Sequence, residues 1–265
     1  MRYSLIILTS LLASLYFFVR GNNDIPNRLD ENIPVYLDSI SPDIKKFTEK
    51  SDTIYDIAYH KDGHFSHIIG KIIDEQNVYA LLYDDKDTLL NFYYFDLAKT
   101  KWKQIGSERP VWEQIFDVSI EDMDGDNRNE VITFSYPNMN GNTFKEIYYF
   151  SPNNDSVHIA ASFFTSTYEA DKIAKTVRTY YGGSWYMPLI LTLYKWHGEN
   201  LIIMKEIRKN LVEDAPMGSD HYILSYYENP LKGDEHVVDS LSLIFEFPFE
   251  KAKHQYLWDN FFEEN

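Results

Sequence analysis

The feature that most constrains this chain is a series of short β-type runs that begins at about Asp52. Runs of β-branched and aromatic residues, such as T-I-Y-D-I-A-Y (53–59) and L-L-N-F-Y-Y-F (89–95), alternate with the polar segments K-D-G, D-E-Q-N and D-D-K-D. This alternation is typical of strands joined by turns. No stretch of 12 or more residues after position 50 combines helical periodicity with capping residues. The pattern therefore predicts an all-β domain over residues 51–249, built as an antiparallel meander.

A weak internal repeat adds detail to this prediction. Three segments, starting at residues 91, 146 and 191, each contain an aromatic strand, a turn of four or five polar residues and a second strand. Their aromatic markers, Phe95, Phe150 and Trp196, are spaced by 55 and 46 residues. Propeller blades repeat at about 40–50 residues. The repeat favours a propeller-like domain, whereas a β-sandwich is the alternative because any long meander contains similar hairpins.

Composition limits the classes of partner and chemistry. The chain has 41 acidic and 25 basic residues, a formal charge of −16, so nucleic acid is not an expected partner. It contains no Cys, which excludes disulfides, thiolate metal sites, a cysteine nucleophile and a lipid-modified N-terminal cysteine. The hydrophobic fraction of 44% is ample for a core. A cationic partner or bound metal ions suit this composition better than phosphate does.

The N-terminus predicts export. Arg2 is followed by an uncharged stretch over residues 3–19. The small residues Val19 and Gly21 occupy positions −3 and −1 before a cleavage position after Gly21. We interpret residues 1–21 as a signal peptide or an uncleaved membrane anchor helix. The remainder is then expected in the periplasm, at the cell surface or in the secreted fraction, with membrane contact only through an uncleaved anchor.

Two segments flank the predicted β domain. Residues 22–50 are polar and proline-containing, and we interpret them as a linker with a short helix that starts with Ser41 as N-cap and Pro42 at the first helical position. Residues 250–265 form an aromatic and acidic C-terminal tail, for which a docked and a loose arrangement both remain open.

The segment E-D-M-D-G-D-N-R-N-E, residues 121–130, concentrates acidic side chains at the start of a β-type run. Mutual repulsion disfavours such a cluster unless a cation lies within it. Calcium takes six to eight oxygen ligands, from carboxylates and backbone carbonyls. Residues 122, 124, 126, 128 and 130 are alternate residues of a tight loop, so their ligand groups can face one centre. The predicted Ca²⁺ ligands are the side chains of Asp122, Asp124, Asp126 and Glu130 and the main-chain carbonyl of Arg128.

The loop differs from an EF-hand. An EF-hand has Gly at position 6 and Glu at position 12 between helices, whereas this loop has Asn127 and Thr133 there and β-type flanks. The spacing D-x-D-G-D-x-x-x-E between strands resembles the calcium hairpin of FG-GAP/VCBS-type repeats. Asn127 is a departure, since that family usually has a second Gly at its position. A solvated acidic turn without a metal is the alternative.

The segments after the loop extend the resemblance over about 90 residues. The order of three segments after the loop resembles that of small bacterial periplasmic proteins with one such loop. These segments are N-G-N-T-F-K-E-I-Y-Y-F-S-P, D-K-I-A-K-T-V-R-T-Y-Y-G-G-S-W and L-T-L-Y-K-W-H-G-E-N. Some of these inhibit lysozyme-like enzymes, including immunity proteins against secreted peptidoglycan-cleaving effectors. The resemblance implies a β-sandwich or propeller-like domain, a structural calcium and a binding role. Many relatives are lipoproteins, from which this chain departs in lacking Cys.

Other candidate sites are weaker. His60, His64 and His67 have three imidazoles within eight residues, but Asp62-Gly63 is a favoured hairpin turn that separates them. Ser184, in G-G-S-W, lacks the final glycine of a nucleophile elbow.

The aromatic segment Y-Y-G-G-S-W-Y is the predicted contact surface, because Tyr and Trp dominate interface hot spots. The predicted partner-binding residues are Tyr181, Trp185 and Tyr186, with ordinary β core as the alternative.

Two functions therefore follow from the sequence, and neither is enzymatic. The first is an exported, calcium-binding protein-binding module that inhibits a lysozyme-like cell-wall hydrolase. Its acidic surface suits the basic face that such an enzyme uses on anionic peptidoglycan. The second is a cell-surface protein that binds polysaccharide or helps to assemble it, with aromatic side chains as sugar platforms.

Overall fold

The computed structural model describes residues 33–84, 86–112, 114–183, 188–212, 221–229 and 241–263. The predicted signal or anchor over residues 1–21 and the first part of the predicted linker lie outside these residues. The chain divides into two compact units, Met1–Ile40 and Ser41–Asn265. Within the described residues, no helix has the length and apolar character needed to cross a membrane.

Helix α1 spans Ile33–Phe47, so the helix predicted near Ser41 exists but begins well before Ser41. Pro42 lies inside the helix rather than at its first position, and the expected Ser41 cap is wrong. Pro34 occupies the first turn, where a missing N–H costs nothing. Apolar residues at positions 33, 37, 40, 44 and 47 follow helical spacing, and this spacing outweighs the helix-breaking tendency of Pro42.

The second unit contains three antiparallel meanders, which confirms the all-β prediction. The first sheet pairs β1 to β5 in chain order, the middle sheet β6 to β9, and the third sheet β10 to β15. The strands of the first sheet are β1 Ile54–Tyr59, β2 Phe65–Gly70, β3 Tyr79–Asp84, β4 Leu89–Asp96 and β5 Lys101–Glu108. Those of the middle sheet are β6 Asp117–Glu121, β7 Glu130–Phe134, β8 Thr143–Phe150 and β9 Val157–Thr165. The third sheet contains β10 Thr167–Asp171, β11 Thr176–Tyr181, β12 Leu189–His197, β13 Asn200–Leu211, β14 Tyr222–Glu228 and β15 Ser242–Pro248.

The middle sheet is buried on both faces because alternate residues of β7 and β8 belong to different cores. Val131 and Tyr148 pack with Phe65 and Phe92 of the first sheet. Their neighbours Ile132 and Ile147 instead pack with residues of the third sheet. Since side chains alternate between the two faces of a strand, both faces of this sheet carry apolar residues, and its loops emerge beside those of the two flanking sheets.

The weak repeat marks one hairpin in each sheet. The three repeated segments form the β4–β5, β8–β9 and β12–β13 pairs, all antiparallel. Their aromatic markers Phe95, Phe150 and Trp196 are buried near the ends of the first strands. The third sheet contains a further antiparallel pair, β14 with β15.

The C-terminal segment docks on the third sheet, which resolves the question of whether the tail is loose. Helix α2, Lys251–Asp259, is followed by Phe261, which is buried with Ile207 and Leu224 of that sheet. The ammonium group of Lys209 lies 4.4 Å from the ring centre of Phe249 and 4.2 Å from that of Trp258. These cation–π contacts and the apolar cluster hold the helix to the sheet.

Replacing the anchor of the docked segment, Phe261→Ala, should reduce the free energy of unfolding by about 3 kcal/mol, the usual cost of emptying a buried aromatic site. Tyr256→Ala is the matched control, because Tyr256 belongs to the same C-terminal segment and is 61% exposed on helix α2. Denaturant melts of both variants measure the effect. Equal stabilities would mean that the segment is not docked in solution.

Candidate metal site

The acidic loop connects β6 to β7 at one end of the middle sheet. The side chain of Met123 is fully buried in the core between the middle and third sheets and anchors the loop from within. Gly125 has φ +77° and Asn127 has φ +67°, as expected for the two turn positions. A side chain at position 125 would also meet the carbonyl oxygen of Lys172 at 2.8 Å, so glycine is required there on two counts.

Three of the predicted ligands come together in this loop. Carboxylate oxygens of Asp122, Asp124 and Glu130 all lie within 4.8 Å of one another. Asp124 is 5% exposed and Glu130 is 1% exposed, whereas Asp126 is exposed and lies outside this group. The structure therefore contains a largely buried cluster that could hold a metal ion.

Backbone amides already support the carboxylates, one for each side chain. Asp122 accepts a hydrogen bond from the amide of Gly125 at 2.8 Å, and Asp124 accepts one from Asp126 at 3.0 Å. Glu130 accepts one from Met123 at 2.7 Å. Each amide occupies one oxygen of its carboxylate, so the other oxygens keep lone pairs for a cation. The loop is thus folded around its acidic side chains by its own backbone.

The electrostatics of the cluster are unfavourable without a cation. The pKa of Glu130 is raised from 4.5 to about 8, mainly by burial and also by the nearby charges of Asp124, Asp126 and Asp122, against the lowering effect of the Met123 amide. Burial likewise raises the pKa of Asp124.

Within the described part of the chain, the only ion pair of the cluster joins Asp122 to Lys172 at 3.3 Å. Neither of the two buried carboxylates forms an ion pair with Lys or Arg there, although the charge of Lys175 acts on Asp124 and opposes the rise of its pKa. Buried carboxylates of this kind require protonation or a bound cation, and the donor set fits a metal that prefers oxygen ligands.

The side chain of Arg128 has a role that the sequence pattern did not show. Its guanidinium donates to Asp74 at 3.3 Å, to the carbonyl of Ser151 at 3.3 Å and to Asn154 at 3.0 Å. Tyr79 donates to the same two side chains, Asp74 and Asn154. The loop is therefore fastened to the β2–β3 connection and to the β8–β9 turn. These partners are distant in sequence, and no local motif identifies them.

The other candidate residues do not form a second metal site among the described residues. His67 is buried on β2 and pairs with Asp56 at 3.1 Å, while His64 lies against the ring of Tyr136. The expected turn at Asp62-Gly63 joins β1 to β2, with Gly63 at φ +87°.

Of the predicted contact residues, Tyr181 is described and half-buried at the end of β11, with its ring 5.7 Å from that of Phe164. Trp185, Tyr186 and the dismissed candidate Ser184 lie outside the described residues.

Without calcium, stability should fall as pH rises between about 4.5 and 8. The folded state holds the Glu130 proton up to about pH 8, whereas the unfolded chain releases it near the ordinary value of 4.5. The stabilising contribution is fully present below pH 4.5 and is lost as pH approaches 8. Thermal melts in chelator measure this fall, which Glu130→Gln should largely remove. A wild-type melting temperature that is constant or rises over this range would contradict the assignment.

Comparisons with known proteins add little to this geometry. No protein-family model matches the chain, and no curated protein matches it. Among solved structures, it is similar to one described as "Structure of a Xanthomonas Type IV Secretion System related protein", at 11% identity and a TM-score of 0.38. That similarity covers 71% of this chain and 99% of the Xanthomonas protein. A TM-score of 0.38 is too low to support an argument about fold or function.

Proposed function

We propose that this chain is an exported, calcium-stabilised β domain that binds a protein partner, with a basic peptidoglycan-cleaving enzyme as the partner it would inhibit. The observation that carries the proposal is the cluster of Asp122, Asp124 and Glu130, in which the two buried carboxylates form no ion pair among the described residues. Export rests on Arg2 and the uncharged segment that follows it.

Calcium is the ion that suits this cluster. Ligands on opposite sides of a calcium ion are about 4.6–5.2 Å apart, given Ca–O distances of about 2.3–2.6 Å. Oxygens within 4.8 Å of one another can therefore contact a single ion. Asp126 and the carbonyl of Arg128 remain the predicted donors for the rest of the coordination shell. A bound dication would also compensate the repulsion among the acidic side chains, so its first role would be structural.

A binding role is supported by charge and by an exposed aromatic row. The ring of Trp112 lies 6.3 Å from that of Phe144. Phe144 pairs across the strands with Phe164, whose ring neighbours Tyr181. Trp112 is 54% exposed and Phe164 is 38% exposed. The row ends at Tyr181, which precedes the predicted contact residue Trp185 by four positions in the sequence, and it belongs to a chain with a charge of −16.

The arrangement of the sheets suits such a module. Consecutive meanders pack face to face, with the middle sheet between its neighbours. We propose a propeller-like arrangement in which each meander corresponds to one blade, since one repeated hairpin lies in each sheet. The loops at the sheet ends would then provide the metal site and the partner contacts on a rigid support.

Calcium should raise the melting temperature of the wild-type protein by about 5–10 °C at a concentration 100-fold above Kd, as linkage predicts for a domain of this size. Asp124→Ala should remove most of this rise, whereas the exposed Asp87→Ala should keep it. The measured quantity is the difference between melts in calcium and in chelator, so baseline effects of each substitution cancel. A rise that is undiminished in Asp124→Ala would exclude the calcium assignment.

A capture experiment tests the partner. Tagged residues 22–265 with calcium should retain one stoichiometric wall-cleaving enzyme from periplasmic and secreted extracts. Trp185→Ala should reduce that retention at least tenfold without loss of stability, and the exposed Tyr256→Ala should leave it unchanged. Retention of polysaccharide with no protein would instead favour the cell-surface glycan function. A large loss of stability in Trp185→Ala would place Trp185 in the core.

A further inference from the structure

A shallow pocket lies on the face of the middle sheet opposite to the one that carries Glu130. Glu146 shares the face of Tyr148, whereas Glu130 shares the face of Ile132. Residues of the connector between β5 and β6 line this shallow pocket together with residues of β7 and β8. Pro110, Trp112 and Phe144 form apolar walls, and Thr133 and Glu146 provide polar atoms. Its enclosed part, about 10 Å³, has room for one water-sized group such as the ammonium end of a lysine side chain.

Glu146 is the unusual member of this pocket, because it is a carboxyl group with only 2% exposure. Its oxygens accept long hydrogen bonds from the Val111 amide, at 3.3 and 3.4 Å, and one from the Tyr148 hydroxyl at 3.2 Å. Burial raises its pKa, and the charge of Glu108 raises it further. Among the described residues, no Lys, Arg or His forms an ion pair with it. Its negative charge is therefore under-compensated within the chain.

The walls complement this carboxyl group in a specific way. The Trp112 and Phe144 rings are 6.3 Å apart at an angle of 60°, on the aromatic row described above. Aromatic faces attract cations, especially ammonium and guanidinium groups. A carboxylate at the base and aromatic rings at the rim would provide both an ion-pair partner and a surface for the methylene stem of a long cationic side chain.

We propose that this pocket receives the ammonium group of a lysine side chain of a basic protein partner, with Glu146 as the ion-pair acceptor and Trp112 as the rim. The assignment rests on the proposed binding function and locates one contact of that interface. Charge complementarity supports a basic partner, because the chain has a charge of −16 and a second carboxylate, Glu108, acts on the same site. The proposed contact is separate from the acidic loop, which would be occupied by calcium.

The amide of Val111 is the direct reporter of the pocket, since it donates to Glu146. We expect n-butylammonium to shift the Val111 signal in spectra of protein labelled with ¹⁵N-valine, saturably and in the millimolar range. Val111→Ile, at a position that is 61% exposed, assigns the signal by its disappearance. The uncharged n-butanol controls for apolar binding and should give no saturable shift.

Two variants decide the outcome. Glu146→Gln keeps the side-chain shape and should weaken n-butylammonium binding at least tenfold, whereas Glu169→Gln removes an exposed carboxylate from β10 and should leave it unchanged. Trp112→Leu, at the rim, should weaken binding about threefold and provides a second test if Glu146→Gln proves unstable. Equal binding by Glu146→Gln and wild type, or no saturable shift in wild type, would overturn the proposal.

Failure of this proposal and failure of the proposed function have different signatures. If a wall-cleaving enzyme is captured equally by wild type and Glu146→Gln, the binding function stands and the pocket has no part in it, which overturns the inference. If cations bind through Glu146 but extracts yield no protein partner, the pocket is a cation site and the proposed function fails. Loss of capture on Glu146→Gln, with retention by Glu169→Gln, supports both.

Discussion

The burial of both faces of the middle sheet is the constraint on which the rest of the structure depends. A sheet with two buried faces carries apolar residues at consecutive positions, as Val131 and Ile132 show by packing into different cores. It cannot fold alone with either face in water. Its loops must then emerge among the loops of both neighbours, and this position explains why the β6–β7 connection is acidic, partly buried and fastened on two sides.

The fastening of that loop has two components with different physical origins. Met123 inserts into the core and contributes apolar burial, while Arg128 reaches Asp74 and Asn154 by hydrogen bonds. Met123 lies between Asp122 and Asp124 in the sequence, whereas Arg128 belongs to the same alternating series as the carboxylates. The loop backbone is therefore fixed by Met123 and Arg128, and the carboxylates of Asp122, Asp124 and Glu130 are positioned by backbone amides of the same loop. Preorganisation of this kind lowers the cost of assembling a coordination shell.

The sequence predicted what is encoded locally. Strand runs, turn residues, the hairpin in each sheet and the acidic loop with its positive-φ positions at Gly125 and Asn127 all follow from short-range patterns. The start of α1 differs from the prediction because the apolar spacing from Ile33 onward outweighs the helix-breaking tendency of Pro42. The contacts of Arg128 with Asp74 span 54 positions, and no local pattern encodes a pairing of that range. The same holds for Glu146, whose pocket depends on a connector 35 positions away.

The buried charged residues that the structure describes fall into two groups. Some have a compensating partner within the chain, and for others we propose an external cation. Glu206 is buried but has Arg208 and the Thr192 hydroxyl as partners. Lys209 lies against two aromatic rings, and Lys145, whose pKa burial lowers to about 8, donates to the carbonyl of Thr165.

Asp124, Glu130 and Glu146 differ from these residues, because their resolved contacts are hydrogen-bond donors without a full charge. A buried carboxylate supported only by neutral donors retains a large part of its desolvation penalty. Protonation removes that penalty at low pH, and a cation removes it at neutral pH. On this physical ground the three-carboxylate cluster could hold a metal ion, and the aromatic-walled pocket is the place that we propose for a partner's cationic side chain.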